Sequence, residues 1–416
     1  MSGWPDVLVV GAGLSGLMSA LLAAQRGARV MVVARGVGGT HTGSGCVGVL
    51  GYTPRGTPVT SPSRTLTRAL KDRPDHPYLL AGREALEIGI AALKATCDDA
   101  GYPFAGDLSA NMTLPTALGA LTRVCMAPAS VAAGHQHGAN GDEPPWMLVG
   151  LAGWRDFDAG YAAGNLGPHV RALAFAPSGA ALDPNLTALE VARRFDQPGF
   201  RSSFALGLSR MLDGETRVGF PAVLGLRRTV DVVADLEEVL GCPVFEIPTV
   251  PPSVPGVRLY DTLRRAVLAL GGEFVLGPRA VGWLERGQLQ GVKAHGPGGE
   301  RKIRAGAVVL ATGGLLGGGL EAGLDGALRE TVFDLPVDAP PPEGWFDPLF
   351  FGSHPVFESG VRVNSWMQPL DAAGEVVSTR LYAAGGLLAG ADRLGELSAE
   401  GIALATAAKV VEVLAA

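Results

Sequence analysis

Asp6-Val-Leu-Val-Val10-Gly11-Ala-Gly13-Leu-Ser-Gly16 is the stretch that decides the fold. An unbroken apolar run closed at once by glycine reads as a strand buried on both faces of a parallel sheet. Leu17 to Arg26 then reads as a helix stopped by Gly27, and Arg29-Val-Met-Val-Val33 as a second strand. This is the spacing of a βαβ unit. Gly11 permits the tight turn, Gly13 lets a phosphate approach the backbone, and Gly16 lets the helix pack on the strand. The N–H groups of the first turn, around Leu14 and Ser15, and the helix dipole attract that phosphate. The second strand ends Val33-Ala34-Arg35-Gly36, without the acid that holds an adenosine ribose. An Arg suits phosphate better than a diol, so Arg35 points to a phosphorylated dinucleotide or to a cofactor lacking adenosine, such as FMN.

Outward from this unit, the chain runs to 416 residues, more than one hydrophobic core usually spans. It is 47% hydrophobic and 18% charged, with mean hydropathy +0.25, which predicts a large core, a buried subunit interface, or both. A net charge of −6 gives no basic footprint for nucleic acid. Cys46, Cys97, Cys125 and Cys242 stand far apart, so no iron–sulfur or zinc motif is present locally, and reduced buried thiols of a cytosolic protein are expected. Val7 to Ala24 carries no charge, but it lacks a basic flank and is broken by three glycines. Neither a cleaved signal nor a spanning helix is expected there.

Gly36 to Gly45 is too rich in glycine for a helix or strand and suits a backbone wrapped round a flat ligand, with Gly43, Ser44 and Gly45 as candidate contacts. Arg83 to Ala100 reads as a helix. Ala127 to Pro145, with His135 and His137, reads as an exposed loop, because a His-x-His pair without a third ligand is a poor metal site. Strands at Trp146–Gly150, Val170–Ala176, Val218–Gly225 and Val244–Ile247, with helices near Asp156–Leu166 and Val230–Leu240, form a second α/β segment. Gly271 to Leu276 and Ala280 to Leu284 open a β-meander. Ala307-Val-Val-Leu310 is again a buried strand, running into Ala311-Thr312-Gly313, and Leu381 to Gly386 repeats strand and glycine turn before a last helix, Ala399 to Ala415.

A βαβ start, an Ala-Thr-Gly strand end after a meander, and a late Ala-x-Gly turn before a terminal helix resemble flavoproteins of the fumarate reductase and FAD-dependent oxidoreductase kind. Gly11-x-Gly13-Leu-x-Gly16-Leu, His76-Pro77-Tyr78, Phe220-Pro221-Ala222, Ala311-Thr312-Gly313 and, above all, Pro248-Thr249-Val-Pro251-Pro252-Ser253-Val-Pro-Gly256-Val-Arg258-Leu259 resemble the B subunits of anaerobic glycerol-3-phosphate dehydrogenases, in the same order along nearly the whole chain. The resemblance implies an α/β, Rossmann-like dinucleotide-binding flavoprotein fold with a β-meander. Its flavin-binding domain is discontinuous, residues 1–110 and 255–416, with an inserted α/β cap or interface domain at 111–254.

The resemblance also implies oxidation of sn-glycerol 3-phosphate to dihydroxyacetone phosphate, with electrons passing toward the membrane quinone pool. A flavin-bearing catalytic A subunit and an iron–sulfur, membrane-anchoring C subunit are the implied partners. The implied location is cytoplasmic, at the inner face of the membrane through a partner. The flavin is expected to be FMN, with FAD as the alternative. Its contacts are expected at Gly11, Gly13, Leu14, Ser15, Gly16, Arg35, Gly43–Gly45, Ala311–Gly313, Gly385 and Gly386. Gly386 stands where many flavoproteins carry an acid for the ribityl chain.

Such chemistry needs a base for the C2 hydroxyl and cations for the phosphate. His41, His76 and His354 are candidate bases, and Arg227, Arg228 and Arg258 candidate cations. The Pro-rich motif is expected to be a stiff extended loop before a helix from Leu259 to Leu270. No metal site is expected. Three readings stay open: a flavin-bearing subunit, a non-catalytic partner of a catalytic subunit, and a stand-alone NADP-type enzyme.

Overall fold

Strand β1 (Val7–Val10) sits at the centre of a parallel five-stranded sheet. The computed structural model describes residues 3–136, 144–176, 182–350 and 352–415. Helix α1 (Leu14–Gln25) and strand β2 (Val30–Ala34) complete the expected βαβ unit, with Val7 opposite Val30 and Val10 opposite Val33. Both strands are fully buried, as their unbroken apolar runs require. Across the sheet the order is Glu273–Leu276, β2, β1, Ala307–Leu310, Leu381–Ala383. Strands far apart in sequence thereby end side by side, at the edge where their glycine turns follow. On one side α1 packs against the terminal helix Ala399–Leu414.

The chain divides into two compact units. The first comprises Met1–Thr40, Gly48–Thr96 and Tyr260–Ala416; the second comprises His41–Val47 and Cys97–Leu259. In the first, Arg279–Glu285, Gln288–Gly296 and Gly299–Arg304 form the antiparallel meander. The second contains a parallel four-stranded sheet in the order Val244–Ile247, Val218–Pro221, Trp146–Leu151, Val170–Phe175. Trp146, Phe195, Phe204, Phe220 and Phe245 are fully buried in its core.

Three local expectations are corrected. Glu273–Leu276 does not open the meander; it pairs in parallel with β2 and forms one edge of the central sheet. The Pro-rich motif is extended only to Ser253, because the helix Val254–Ala269 starts within it; Pro255 in the first turn gives up no helical hydrogen bond. The expected exposed loop from Ala127 begins with a strand end and a short helix, Ala129–Ala132. His135 is half-buried there and accepts the Thr113 N–H at 3.0 Å, so it is held by the backbone rather than projecting freely from a loop. His137 lies outside the described residues.

Candidate functional site: the glycine turns of the central sheet

The first turn is built by exclusion of side chains. Gly11 has φ +117°, and a Cβ on it would stand 2.2 Å from the Ala311 carbonyl oxygen, so glycine alone lets the end of β1 meet the neighbouring strand end. A Cβ on Gly16 would stand 2.0 Å from the Gly11 carbonyl oxygen, which fixes how closely α1 approaches the turn. Gly13 differs from both. It is the N-cap of α1, no side chain caps that helix, and nothing lies within 4 Å of where its Cβ would be. The first-turn N–H groups of a helix have no acceptor within it. Those of Leu14 and Ser15 therefore lack an acceptor in the helix, and the Cβ direction of Gly13 before them is open.

Three further segments of the same unit close on this turn. Gly38 comes so near that its Cβ would lie 2.6 Å from the Gly13 nitrogen. Ala311 donates its N–H to Val10, and Thr312 follows with its Oγ1 buried and without a hydrogen-bond partner among the described residues. Gly385, at φ +72°, donates its N–H to Thr406 Oγ1 at 2.8 Å, and its Cβ would strike Ser15 Oγ at 2.4 Å. A Cβ on Gly386 would lie 3.4 Å from the Gly314 nitrogen and 3.7 Å from Gly313 Cα. Gly38 and Gly314 were not singled out as site residues from sequence. Their signal was the density of glycine itself.

The open helix end at Gly13 and the unsatisfied Thr312 hydroxyl fit the phosphate portion of a nucleotide cofactor. Neither the end of β2 nor the late glycine turn offers a carboxylate: Arg35 is exposed directly after β2, and Gly386 has no side chain.

The remaining candidates are placed elsewhere. His41 and Gly43–Gly45 belong to the second unit. There the His41 carbonyl accepts the Ser253 N–H, Ser44 Oγ accepts the Cys46 N–H, and a Cβ on Gly45 would lie 2.7 Å from Pro255 Cβ. This loop is packed against the Pro-rich motif.

Arg258, the best-placed cation by sequence, is buried in the second unit and committed there. Its Nη1 and Nη2 donate to the Glu246 carboxylate at 2.6 and 3.0 Å, and its Nε donates to the Gly225 carbonyl at 2.9 Å. Burial alone would lower the guanidinium pKa, but the Glu246 charge outweighs it and holds Arg258 protonated. Tyr102 stands beside the pair, its hydroxyl pushed above the ordinary phenol range by burial. Arg258 is thus a structural cation, not one presented to a substrate. The Arg227 and Arg228 backbone N–H groups donate to Asp196, and the Arg228 Nε donates to Asp231 at 2.7 Å.

His76 is buried in the first unit. Its Nδ1 accepts the Tyr78 N–H, so Nε2 carries the proton it gives to Glu396 at 3.1 Å. Arg73 braces the same carboxylate at 3.2 Å and also pairs with Glu358. His354 organises a surface loop of the first unit. No His, Cys, Asp or Glu group among the described residues is arranged to hold a metal, and no described helix is long and apolar enough to cross a membrane.

Comparison with known proteins places the chain in a family. Residues 6–402 match the model of the FAD binding domain family. The B subunit of the anaerobic glycerol-3-phosphate dehydrogenase of Pectobacterium atrosepticum is 32% identical, covering 98% of this chain and 97% of that protein. A probable B subunit of the same kind from Halobacterium salinarum is 34% identical over 96% of this chain and 95% of its own length. Among solved structures, a flavocytochrome c3 fumarate reductase aligns with 100% of this chain and 78% of its own at TM-score 0.43 and 12% identity. A 3-ketosteroid dehydrogenase from Rhodococcus jostii covers 100% and 98% at TM-score 0.37 and 13% identity. The family model names FAD, so it lends no support to FMN over FAD. The chain belongs to the FAD binding domain family and, within it, to the B subunits of anaerobic glycerol-3-phosphate dehydrogenase.

Proposed function

We propose that this chain is the B subunit of a quinone-linked dehydrogenase that oxidises sn-glycerol 3-phosphate to dihydroxyacetone phosphate, working with a flavin-bearing A subunit and an iron–sulfur C subunit at the membrane. The observation that carries the reading is the open, uncapped start of α1 at Gly13, with Thr312 following the strand end that meets Gly11. There the N–H groups of Gly13, Leu14 and Ser15 hold the cofactor phosphate, and Thr312 Oγ1 gains the partner it lacks. A bound flavin supplies a two-electron acceptor for the hydride of C2. We take the flavin to be FMN, because the second strand ends at Arg35 with no acid for an adenosine ribose. Acid release from the purified protein followed by chromatography is expected to give FMN near one per chain; stoichiometric FAD overturns that choice and leaves the fold reading intact.

A second reading has a specific observation in its favour. His76, Arg258 and His354 are all engaged in internal hydrogen bonds, so none is free to act as base or phosphate clamp. The chain then keeps the flavin fold while its partner carries the substrate site. The NADP-type alternative rested on Arg35 alone, and the family shown is a flavin family. The isolated chain is expected to reduce an artificial dye with glycerol 3-phosphate at less than about a hundredth of the rate of the assembled complex, a gap of more than about 2.7 kcal/mol in activation free energy. Comparable turnover by the isolated chain places the substrate site within it and defeats the second reading.

A further inference from the structure

The antiparallel meander of the first unit, Arg279–Glu285, Gln288–Gly296 and Gly299–Arg304, has one buried face. Ala280, Val292, Ala294 and Ile303 lie on it, and a Cβ on Gly282 would stand 2.2 Å from Phe333 Cδ1, so Phe333 packs there too. Alternation sends Val281, Trp283, Lys293, Lys302 and Arg304 to the opposite face. The register sets two cross-strand rows on that face: Val281, Lys293 and Lys302 in one, Trp283, Gly291 and Arg304 in the next.

Both rows are unusual for an outward face. Trp283 is only 7% exposed, and what lies over it is charge. Lys302 Nζ and Arg304 Cζ each stand 5.2 Å from its ring centroid, and Arg304 Cζ is 5.8 Å from the ring of Trp4 as well. Gly291 makes this possible, because no side chain separates Trp283 from Arg304 in the middle strand. Lys293 and Lys302 stand directly opposite each other, an arrangement of like charges that destabilises a sheet. Lys293, Lys302 and Arg304 form no ion pair among the described residues. The carboxylates nearby sit at the margins of the face and have their own partners. Glu285 accepts the Trp283 Nε1–H at 3.1 Å, Glu300 lies 3.7 Å from His295 Nε2, and Glu321 lies 3.7 Å from Arg279 Nη2. Three cations gathered on an aromatic floor without counter-ions cost stability, and an anionic surface laid against them relieves that cost.

The local charge is opposite to that of the whole chain. From Arg279 to Arg304 there are six Lys or Arg and two Asp or Glu, in a chain with 34 and 40 overall. Charges more than about 8 Å away are largely screened at physiological salt, so an approaching surface meets this patch rather than the net charge. The exposed side chains beside the cations choose among anionic surfaces. Trp4 is 42% exposed next to Arg304, and Leu284 is 48% exposed at the hairpin tip that also carries the exposed Arg286. Tryptophan beside Arg and Lys is the composition of a membrane–water interface, where the indole sits at headgroup level and the cations meet phosphates.

We propose that this outward face, Lys293, Lys302 and Arg304 with Trp4, is a docking surface for an anionic phospholipid bilayer. The inference goes beyond the subunit reading and does not depend on it: the chain itself touches the membrane surface, in addition to any contact made by a partner. Such docking is reversible, each cation changing the partition by about fivefold.

The test is flotation of the full chain with vesicles of phosphatidylcholine alone and of phosphatidylcholine with phosphatidylglycerol. Binding is expected only to the second, and it is expected to be lost at about 1 M salt, where screening acts within about 3 Å. Lys293→Gln combined with Lys302→Gln leaves Arg304 on Trp283. It is expected to weaken binding about 25-fold, with a thermal midpoint equal to or above that of wild type because the lysine pair no longer repels. Trp4→Ser is expected to weaken binding several-fold. Arg64→Gln combined with Arg68→Gln removes the same charge from the exposed side of helix Pro62–Ala69 and is expected to change nothing.

Four results overturn the proposal: no flotation of the wild-type chain with phosphatidylglycerol vesicles, equal binding to both kinds of vesicle, undiminished binding by the folded double-lysine variant, and equal loss in the Arg64 and Arg68 variant. A fifth does so as well. If assembly with partner subunits abolishes flotation and shields Lys302 from acylation, the face is a protein interface. None of these results touches the subunit reading, which the assay of the isolated chain against the complex tests separately.

Discussion

Valine at position 16 is expected to leave the chain unfolded, whereas valine at position 13 is expected to leave it folded and without flavin. A Cβ on Gly16 stands 2.0 Å from the Gly11 carbonyl oxygen, a backbone atom that cannot turn aside as a side-chain end could. To admit it, α1 must lift away from β1, and Ser15, Leu17, Met18 and Leu21 lose burial in the core. Overpacking typically costs about 1–3 kcal/mol where side chains can shift, and a backbone clash exceeds that. Domain stabilities are only about 5–15 kcal/mol in total. Gly13 carries no such constraint. Its φ of −75° and ψ of −176° suit valine, and its Cβ direction is empty. A branched side chain there fills the space in which a phosphate meets the helix N–H groups. The expected result for Gly13→Val is a thermal midpoint close to wild type with flavin content reduced about tenfold or more; for Gly16→Val it is insoluble protein or loss of the cooperative transition. Wild-type flavin content in folded Gly13→Val would place the phosphate elsewhere.

Removal of the Arg258 guanidinium is the second large effect, and it is expected to act on stability rather than on substrate affinity. Arg258→Met keeps much of the side-chain length but strips Glu246 of its counter-charge. Glu246 is fully buried, and its remaining partners are the Leu224 N–H and the Ser130 hydroxyl. Breaking a buried ion pair from one side costs about 3–5 kcal/mol, because the orphaned charge stays out of water. The Gly225 carbonyl loses its Arg258 donors as well. Urea unfolding should show the loss, and amide exchange should localise it to the second unit, with Val244–Ile247 and the start of the helix Val254–Ala269 deprotected first. Adding Glu246→Gln to Arg258→Met is expected to recover part of the loss by removing the charge. An unchanged midpoint in Arg258→Met, with weakened binding of glycerol 3-phosphate, would return Arg258 to the role of a phosphate clamp.

The two effects show why some positions were legible in sequence and others were not. The βαβ unit is encoded locally: an apolar run, glycines at fixed spacing and a second apolar run fall within thirty-odd residues, and each glycine's task follows from backbone sterics. The meander, the strand Ala307–Leu310 and the terminal helix were readable for the same reason, since alternation, turn glycines and helical runs are properties of a window.

The fates of Arg258 and His76 were not local, whereas His354 bonds Asp347 and Phe350 within its own loop. Arg258 meets a carboxylate twelve residues away and a carbonyl thirty-three residues away, while His76 meets Glu396 across 320 residues. Whether a polar side chain faces a ligand or a buried partner depends on which strands become neighbours, and sequence spacing does not encode that.

The sequence by itself determined that a nucleotide-type turn opens the chain, that glycines stand at its close approaches and that no acid ends its second strand. The tertiary structure alone decided that Gly38, Thr312 and Gly385 close on that turn, that Glu273–Leu276 joins the central sheet, and that Arg258 and His76 are committed to buried partners. Backbone conformation is fixed by nearby residues through steric exclusion, but the partner of a buried charge is chosen by packing, which brings distant segments together to satisfy groups that water no longer reaches.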